Sequence, residues 1–146
     1  MKPTPAKPIV VSQIFDVSIE RVWQAVTDRD QMIKWCFAEI PSFKPVVGFH
    51  TRFTVKGGDR DFVHVWKITD VSAAKRISYA WSYEGYPGSS QVTWDLSSES
   101  GRTKLTLTHQ GMETFPQNIP ELTPESGTAG WNYFVRQSLK KYLEPK

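Results

Sequence analysis

Few residues in this chain are able to do chemistry, and His109 is the sharpest of them. It closes the alternating run Thr103-Lys104-Leu105-Thr106-Leu107-Thr108-His109, so its imidazole shares a strand face with Leu105 and Leu107 and points inward. An inward imidazole can move a proton or orient a ligand, with a pKa set by burial and neighbours. No acid or nucleophile is tied to it by spacing, so its default role is a hydrogen bond joining the strand end to the C-terminal helix. Burial is expected to keep it neutral at pH 7 unless a carboxylate lies close. His64 shares a strand face with Trp66 and can point the same way. A phenol such as Tyr79 or Tyr83 converging on His109 would suit a cofactor-independent cyclase or dehydratase.

Other chemistry is absent from the pattern. Cys36 is the single cysteine, which excludes an intramolecular disulfide and a cysteine zinc cluster. It has no neighbouring base to activate it and reads as a buried structural thiol. Neither an HxxxH nor an HExxH spacing occurs, so no metal site is expected. Gly57-Gly58 opens no helix and cradles no phosphate, and no GxSxG elbow is present. No catalytic residue, cofactor or metal is therefore assigned. What remains is an aromatic set, Trp66, Tyr79, Trp81, Trp94, Trp131 and Phe134, which can fill a core or line a pocket for a flat ligand. Leu107 and His109 complete the expected lining. Ser138 joins them because a small polar residue on the apolar face of the last helix hints at a void.

The elements that must position these groups follow from periodicity. Ile9 to Phe15 reads as a strand, with Ile9, Val11 and Phe15 on one face and Val10 and Ile14 on the other, as for a strand buried on both sides. Ile19, Val22, Trp23 and Val26 form a helical stripe started near Ser18. Asp28 with Gln31 is a capping-box pattern for a second short helix carrying Met32, Ile33 and Trp35. From Phe37 the period changes to two. Alternating runs around Phe53, Trp66, Trp81, Trp94 and Leu107, separated by turn residues, predict an antiparallel meander with one face covered. Thr123-Pro124-Glu125 is a helix start, and Trp131, Phe134, Val135, Ser138, Leu139 and Tyr142 line one face of a helix running to about Leu143.

Composition bounds the reading. The 146 residues fit a Pro-rich arm over 1–8 and one domain over 9–146, with six Trp, eight Phe and five Tyr to fill a core. Net charge is +3 with the signs interspersed, so no nucleic-acid surface is evident. The start lacks the apolar segment of a secretory signal, and no apolar run approaches the roughly 20 residues that span a bilayer. A cytoplasmic protein without membrane insertion is the expectation.

Several of these segments together resemble a known family. Ile9 through Cys36, with Val22-Trp23-Gln24-Ala25-Val26-Thr27-Asp28 and Trp35, is similar to the opening of single-domain homologues of the heat-shock protein 90 ATPase activator. Arg76-Ile77-Ser78-Tyr79-Ala80-Trp81 resembles a strand of that family. Leu105 to Gly111 and Gly130-Trp131 through Glu144 resemble its final strand and helix. These homologues belong to the START-like, or SRPBCC, superfamily. The resemblance implies an α+β helix-grip fold: a curved antiparallel sheet around a long C-terminal helix, with two short helices after the first strand and a cavity between sheet and helix. It implies no fixed catalytic set, because relatives include lipid carriers, hormone receptors and polyketide cyclases. Ser18 replaces the proline usual before the first helix, and the chain lacks the additional domain through which the eukaryotic activator engages its chaperone. The expected function is binding of a small apolar or aromatic molecule. The alternatives are a chaperone-activator-like module with a protein partner, and the cyclase or dehydratase above.

Overall fold

The computed structural model describes residues 7–145. Residues 1–6 of the expected Pro-rich arm lie outside the described residues, while Lys7 and Pro8 are exposed and lead into the first strand. Six strands, β1 (Ile9–Phe15), β2 (His50–Gly57), β3 (Arg60–Ser72), β4 (Arg76–Tyr83), β5 (Ser90–Glu99) and β6 (Arg102–Gln110), form one antiparallel sheet in the order β1-β6-β5-β4-β3-β2. The sequential neighbours are hairpins, and β1 closes onto β6 with Ile9 opposite His109. The β2–β3 turn is made by Gly58, whose φ of 67° is the left-handed conformation a two-residue hairpin demands. A register shift between Ile68 and Asp70 bends β3 and helps the sheet curve.

Strand alternation decides which side is covered. Phe62, His64, Trp66 and Ile68 of β3, Ile77, Tyr79, Trp81 and Tyr83 of β4, and Leu105, Leu107 and His109 of β6 are buried. Outward positions such as Arg52, Lys67 and Asp95 are exposed. Burial on both sides of β1 is not found: Val10 is 56% exposed, because the outer face of the sheet has no helix over it. A second departure concerns residues 37–49, where the period-two reading from Phe37 predicts strand. Period-two pairing begins only at His50, and the preceding loop instead turns Phe37, Ile40 and Phe43 into the core.

Two helices, α1 (Ile19–Thr27) and α2 (Arg29–Trp35), follow β1. Ser18 caps α1 by accepting from the Arg21 amide. Asp28 occupies the N-cap of α2 but makes no side-chain cap bond. Gln31, its expected partner, is engaged elsewhere: its Oε1 accepts from Arg21 at 2.6 Å and from the Tyr142 hydroxyl at 3.2 Å. The two helices are locked together by Trp35, whose indole donates to the Ala25 carbonyl at 2.7 Å.

The C-terminal helical run begins where Thr123 accepts from the Ser126 amide with Pro124 in the first turn. It comprises α3 (Pro124–Trp131), a π-helical segment (Asn132–Ser138) and α4 (Leu139–Leu143). The most buried residues are Trp131, Val135, Leu139 and Leu143, spaced four apart. With 3.6 residues per turn, a four-residue step overshoots by about 40°, so three steps would carry the stripe about 120° off the sheet in an α-helix. The wider π turn, in which the Leu139 amide reaches back to the Phe134 carbonyl, holds all four on one line. The expected helix is present, but its winding obeys the four-residue spacing rather than the α-helical one.

Candidate ligand cavity

The sheet and the helical run do not close on each other completely. A cavity of about 210 Å³ lies between the C-terminal ends of β2, β4 and β6, the start of β3, and the face of α3. Its floor carries His64, Trp81, Tyr83 and His109 from the sheet. Phe37 and Phe134 form one wall, and Met112 and Leu122, from the short 3-10 turns before α3, form another. Trp131, Gly127 and Gly130 complete the helix side, and Glu121 and Ser126 add polar groups to an otherwise apolar lining. Two glycines keep the space clear. A Cβ on Gly57 would sit 2.7 Å from the Phe62 ring, whereas one on Gly130 would meet nothing within 4 Å and so face open space.

His109 is held by a hydrogen-bond chain that fixes its tautomer. The Trp131 indole N–H donates to His109 Nδ1 at 2.9 Å, and the Ser90 hydroxyl donates to the Trp81 carbonyl at 2.8 Å. Ser90 has spent its proton there, so at 2.8 Å its oxygen accepts from His109 Nε2–H. The polar hydrogens of the Trp131 indole, His109 Nε2 and the Ser90 hydroxyl each have a partner in this network. A second proton on the imidazole would have to enter at Nδ1, directly against the Trp131 N–H. Burial already lowers His109 from 6.5 to about 4, and this donor–donor conflict works in the same direction. His109 thus ties the end of β6 to the C-terminal helix as a neutral group, and its only basic nitrogen is occupied.

His64 is arranged differently. Its Nδ1–H donates to the Phe62 carbonyl of its own strand at 3.1 Å, which leaves Nε2 with a lone pair. The ring stacks on Phe53 at 5.1 Å and touches Phe37, Trp81 and Tyr83 at centroid separations of 5.1, 5.3 and 4.9 Å. Desolvation in this aromatic surround lowers its pKa from 6.5 to about 4. Burial likewise pushes the Tyr83 phenol up to about 12, so the imidazoles and the phenol on the cavity floor are all uncharged at neutral pH.

Of the nine residues expected to contact a ligand, the cavity gathers Trp81, His109, Trp131 and Phe134. Trp66, Tyr79, Trp94 and Leu107 share the same sheet face but lie outside its lining, packed in the core. The Trp94 indole donates to the Tyr79 hydroxyl at 2.9 Å, and Trp94 meets Trp35 edge-on at 5.9 Å. Ser138 also lies outside this lining, and its hydroxyl donates to the Trp35 carbonyl at 2.6 Å. Tyr79, one phenol considered for cyclase chemistry, is thereby remote from the open space, and burial holds it far above its ordinary pKa. Cys36 is half-buried, and desolvation pushes its thiol up to about 12, a neutral and unreactive form. Among the described residues no group of three or more His, Cys, Asp or Glu is placed to hold a metal. No described helix is long and apolar enough to cross a membrane.

The sheet, the helical run and the cavity between them together define a helix-grip domain of the START-like class. The chain belongs to the family described as activator of Hsp90 ATPase homolog 1-like protein, whose model matches residues 16–144. No functionally curated protein matches it significantly. Among solved structures it is similar to protein CV1439 from Chromobacterium violaceum, at 21% identity and a TM-score of 0.79 over 96% of this chain and 99% of that one. That likeness shows the fold alone. It is also similar to DynU16, a protein of the dynemicin biosynthetic locus, at 27% identity and a TM-score of 0.74. The match covers 97% of this chain, which spans about half of DynU16, 48%. CalU16 from Micromonospora echinospora is 25% identical, with a TM-score of 0.68 over 94% of this chain and 76% of that one.

Proposed function

We propose that the chain binds a small, uncharged aromatic or otherwise apolar molecule in this cavity and does so in the cytoplasm. The observation that carries the reading is the cavity itself: about 210 Å³ walled by Trp81, Trp131, Phe37 and Phe134. That volume lies below the roughly 300–1,000 Å³ typical of drug-sized pockets, so the occupant is a one- or two-ring molecule rather than a lipid chain. The floor offers aromatic faces, and Glu121 is the one acidic side chain among the lining residues, which favours stacking over pairing with an anionic ligand. DynU16 belongs to a biosynthetic locus, a setting in which small organic molecules are handled, and this agrees with the reading.

The cyclase or dehydratase reading has less in its favour, because the imidazole it needs as a base is already bonded through both nitrogens. For a protein-binding module, the apolar residues left exposed are scattered: Val10 on β1, Val46 and Val47 in the loop before β2, and Tyr133. The test is titration calorimetry with 2-naphthol and 2-fluoronaphthalene, in the wild-type protein and in Gly130→Leu. Gly130 lines the cavity and a Cβ there would meet nothing within 4 Å, so a leucine side chain has room to take up part of the space a ligand would need. Saturable 1:1 binding of at least one compound, lost in a folded Gly130→Leu protein, is expected. Absence of binding, or binding indifferent to the substitution, would overturn the reading.

A further inference from the structure

Among the described residues, three buried side-chain atoms have no hydrogen-bond partner: Thr51 Oγ1, Trp66 Nε1 and Trp81 Nε1. Thr51 and Trp66 face each other across the β2–β3 ladder, away from the cavity lining. His64 Nε2 has no partner among the described residues either, yet it is not one of the sealed atoms. The residue as a whole is only 5% exposed and lines the cavity. The space its free nitrogen meets is therefore the cavity.

We propose that His64 Nε2 is the specificity-determining contact of this cavity, accepting a hydrogen bond from a single hydroxyl or N–H on an otherwise apolar aromatic ligand, as in a phenol or an indole. The proposal rests on the ligand-binding reading above and sharpens it. Three features of the site carry it. The Nδ1–H bond to the Phe62 carbonyl fixes the tautomer, so Nε2 presents a lone pair and can only accept while the ring is neutral. The ring cannot swing away, because Phe53 stacks on one face while Phe37, Trp81 and Tyr83 crowd around it. The other imidazole of the floor is closed to a ligand, since His109 is bonded through both nitrogens. A buried acceptor left unpaired carries a desolvation cost, and a ligand that brings a donor removes it. A ligand of the same shape without a donor leaves the cost in place, which is how a largely apolar pocket discriminates between near-isosteres.

The shape-matched pair 2-naphthol and 2-fluoronaphthalene reads this directly. In wild-type protein 2-naphthol is expected to bind about tenfold more tightly, the scale of one buried hydrogen bond at about 1.4 kcal/mol per decade. In His64→Leu the ratio should fall to about one, with 2-fluoronaphthalene binding retained. His64→Gln, which keeps a carbonyl acceptor, should restore part of the preference. On the wild-type protein alone, the His64 Nε2 nitrogen-15 resonance should move upfield on adding 2-naphthol and stay in place with 2-fluoronaphthalene. That readout stands even where a variant does not fold. Equal binding of the two compounds by wild type, a preference that survives His64→Leu, or an unmoved Nε2 resonance would each overturn the role of His64 while leaving the cavity reading intact. Binding of neither compound would overturn both.

Discussion

The two inward histidines show how one residue type is given opposite duties by its neighbours. His109 was legible as an inward residue from the alternation of β6, and the hydrogen bond to the C-terminal helix is the one its default role anticipated. Its partner was not legible, since nothing in the spacing of Trp131 says where its N–H points. His64 carried the same facing signal within β3, but the signal did not separate a committed ring from an open one. Both rings share a consequence for acid stability. Each has a folded-state pKa of about 4 against an ordinary 6.5, so between those values the unfolded chain binds protons that the folded chain refuses. Stability from these groups is complete above pH 6.5 and is lost as pH falls toward 4, by about 3 kcal/mol for each histidine. Urea unfolding followed by tryptophan fluorescence should show this fall. In His109→Gln the loss between pH 6.5 and 5 should be roughly halved. A loss as steep as in wild type would mean that His109 does not titrate as its surroundings require.

At the scale of elements, periodicity identified the strands and helices and left their fine geometry open. The stripe on the C-terminal helix was visible, but the spacing of Trp131, Val135, Leu139 and Leu143 also contained the reason for its winding. A helix that must keep residues four apart against one sheet unwinds into a π segment, and Phe134 is thereby turned to the cavity wall. The capping pattern at Asp28 and Gln31 located α2 correctly, while the Gln31 side chain was claimed by Arg21 and Tyr142, contacts that exist only in the folded chain. Gly130 sits near the junction of α3 with the π segment, and its missing Cβ leaves space. Helix geometry there gains nothing from glycine. Gly130→Ala is expected to raise stability by about 0.5–1 kcal/mol, read as a higher urea midpoint. A lower midpoint would show that the backbone at this junction needs the freedom of glycine.

For the molecule as a whole, the sheet has one covered face put to two uses along its length. Towards α1 and α2 it is solid core, where Trp35, Trp94, Tyr79 and Trp66 interlock. Towards the ends of β4 and β6 it opens, and there Trp81, His109, Trp131 and Phe134 border empty space. Alternation tells which face a residue takes but not how far along the sheet it stands. For that reason the sequence marks the aromatic set as inward, while its division into core and lining depends on where each strand lies against the helical run. Intermolecular nuclear Overhauser effects between 2-naphthol and the isotope-labelled protein decide whether the molecule occupies this cavity. Contacts are expected from the naphthol ring to the Trp81, Trp131, Phe134 and His64 side chains. Contacts confined to the exposed Val46 and Val47, or to Val10 on the outer face of the sheet, would contradict it.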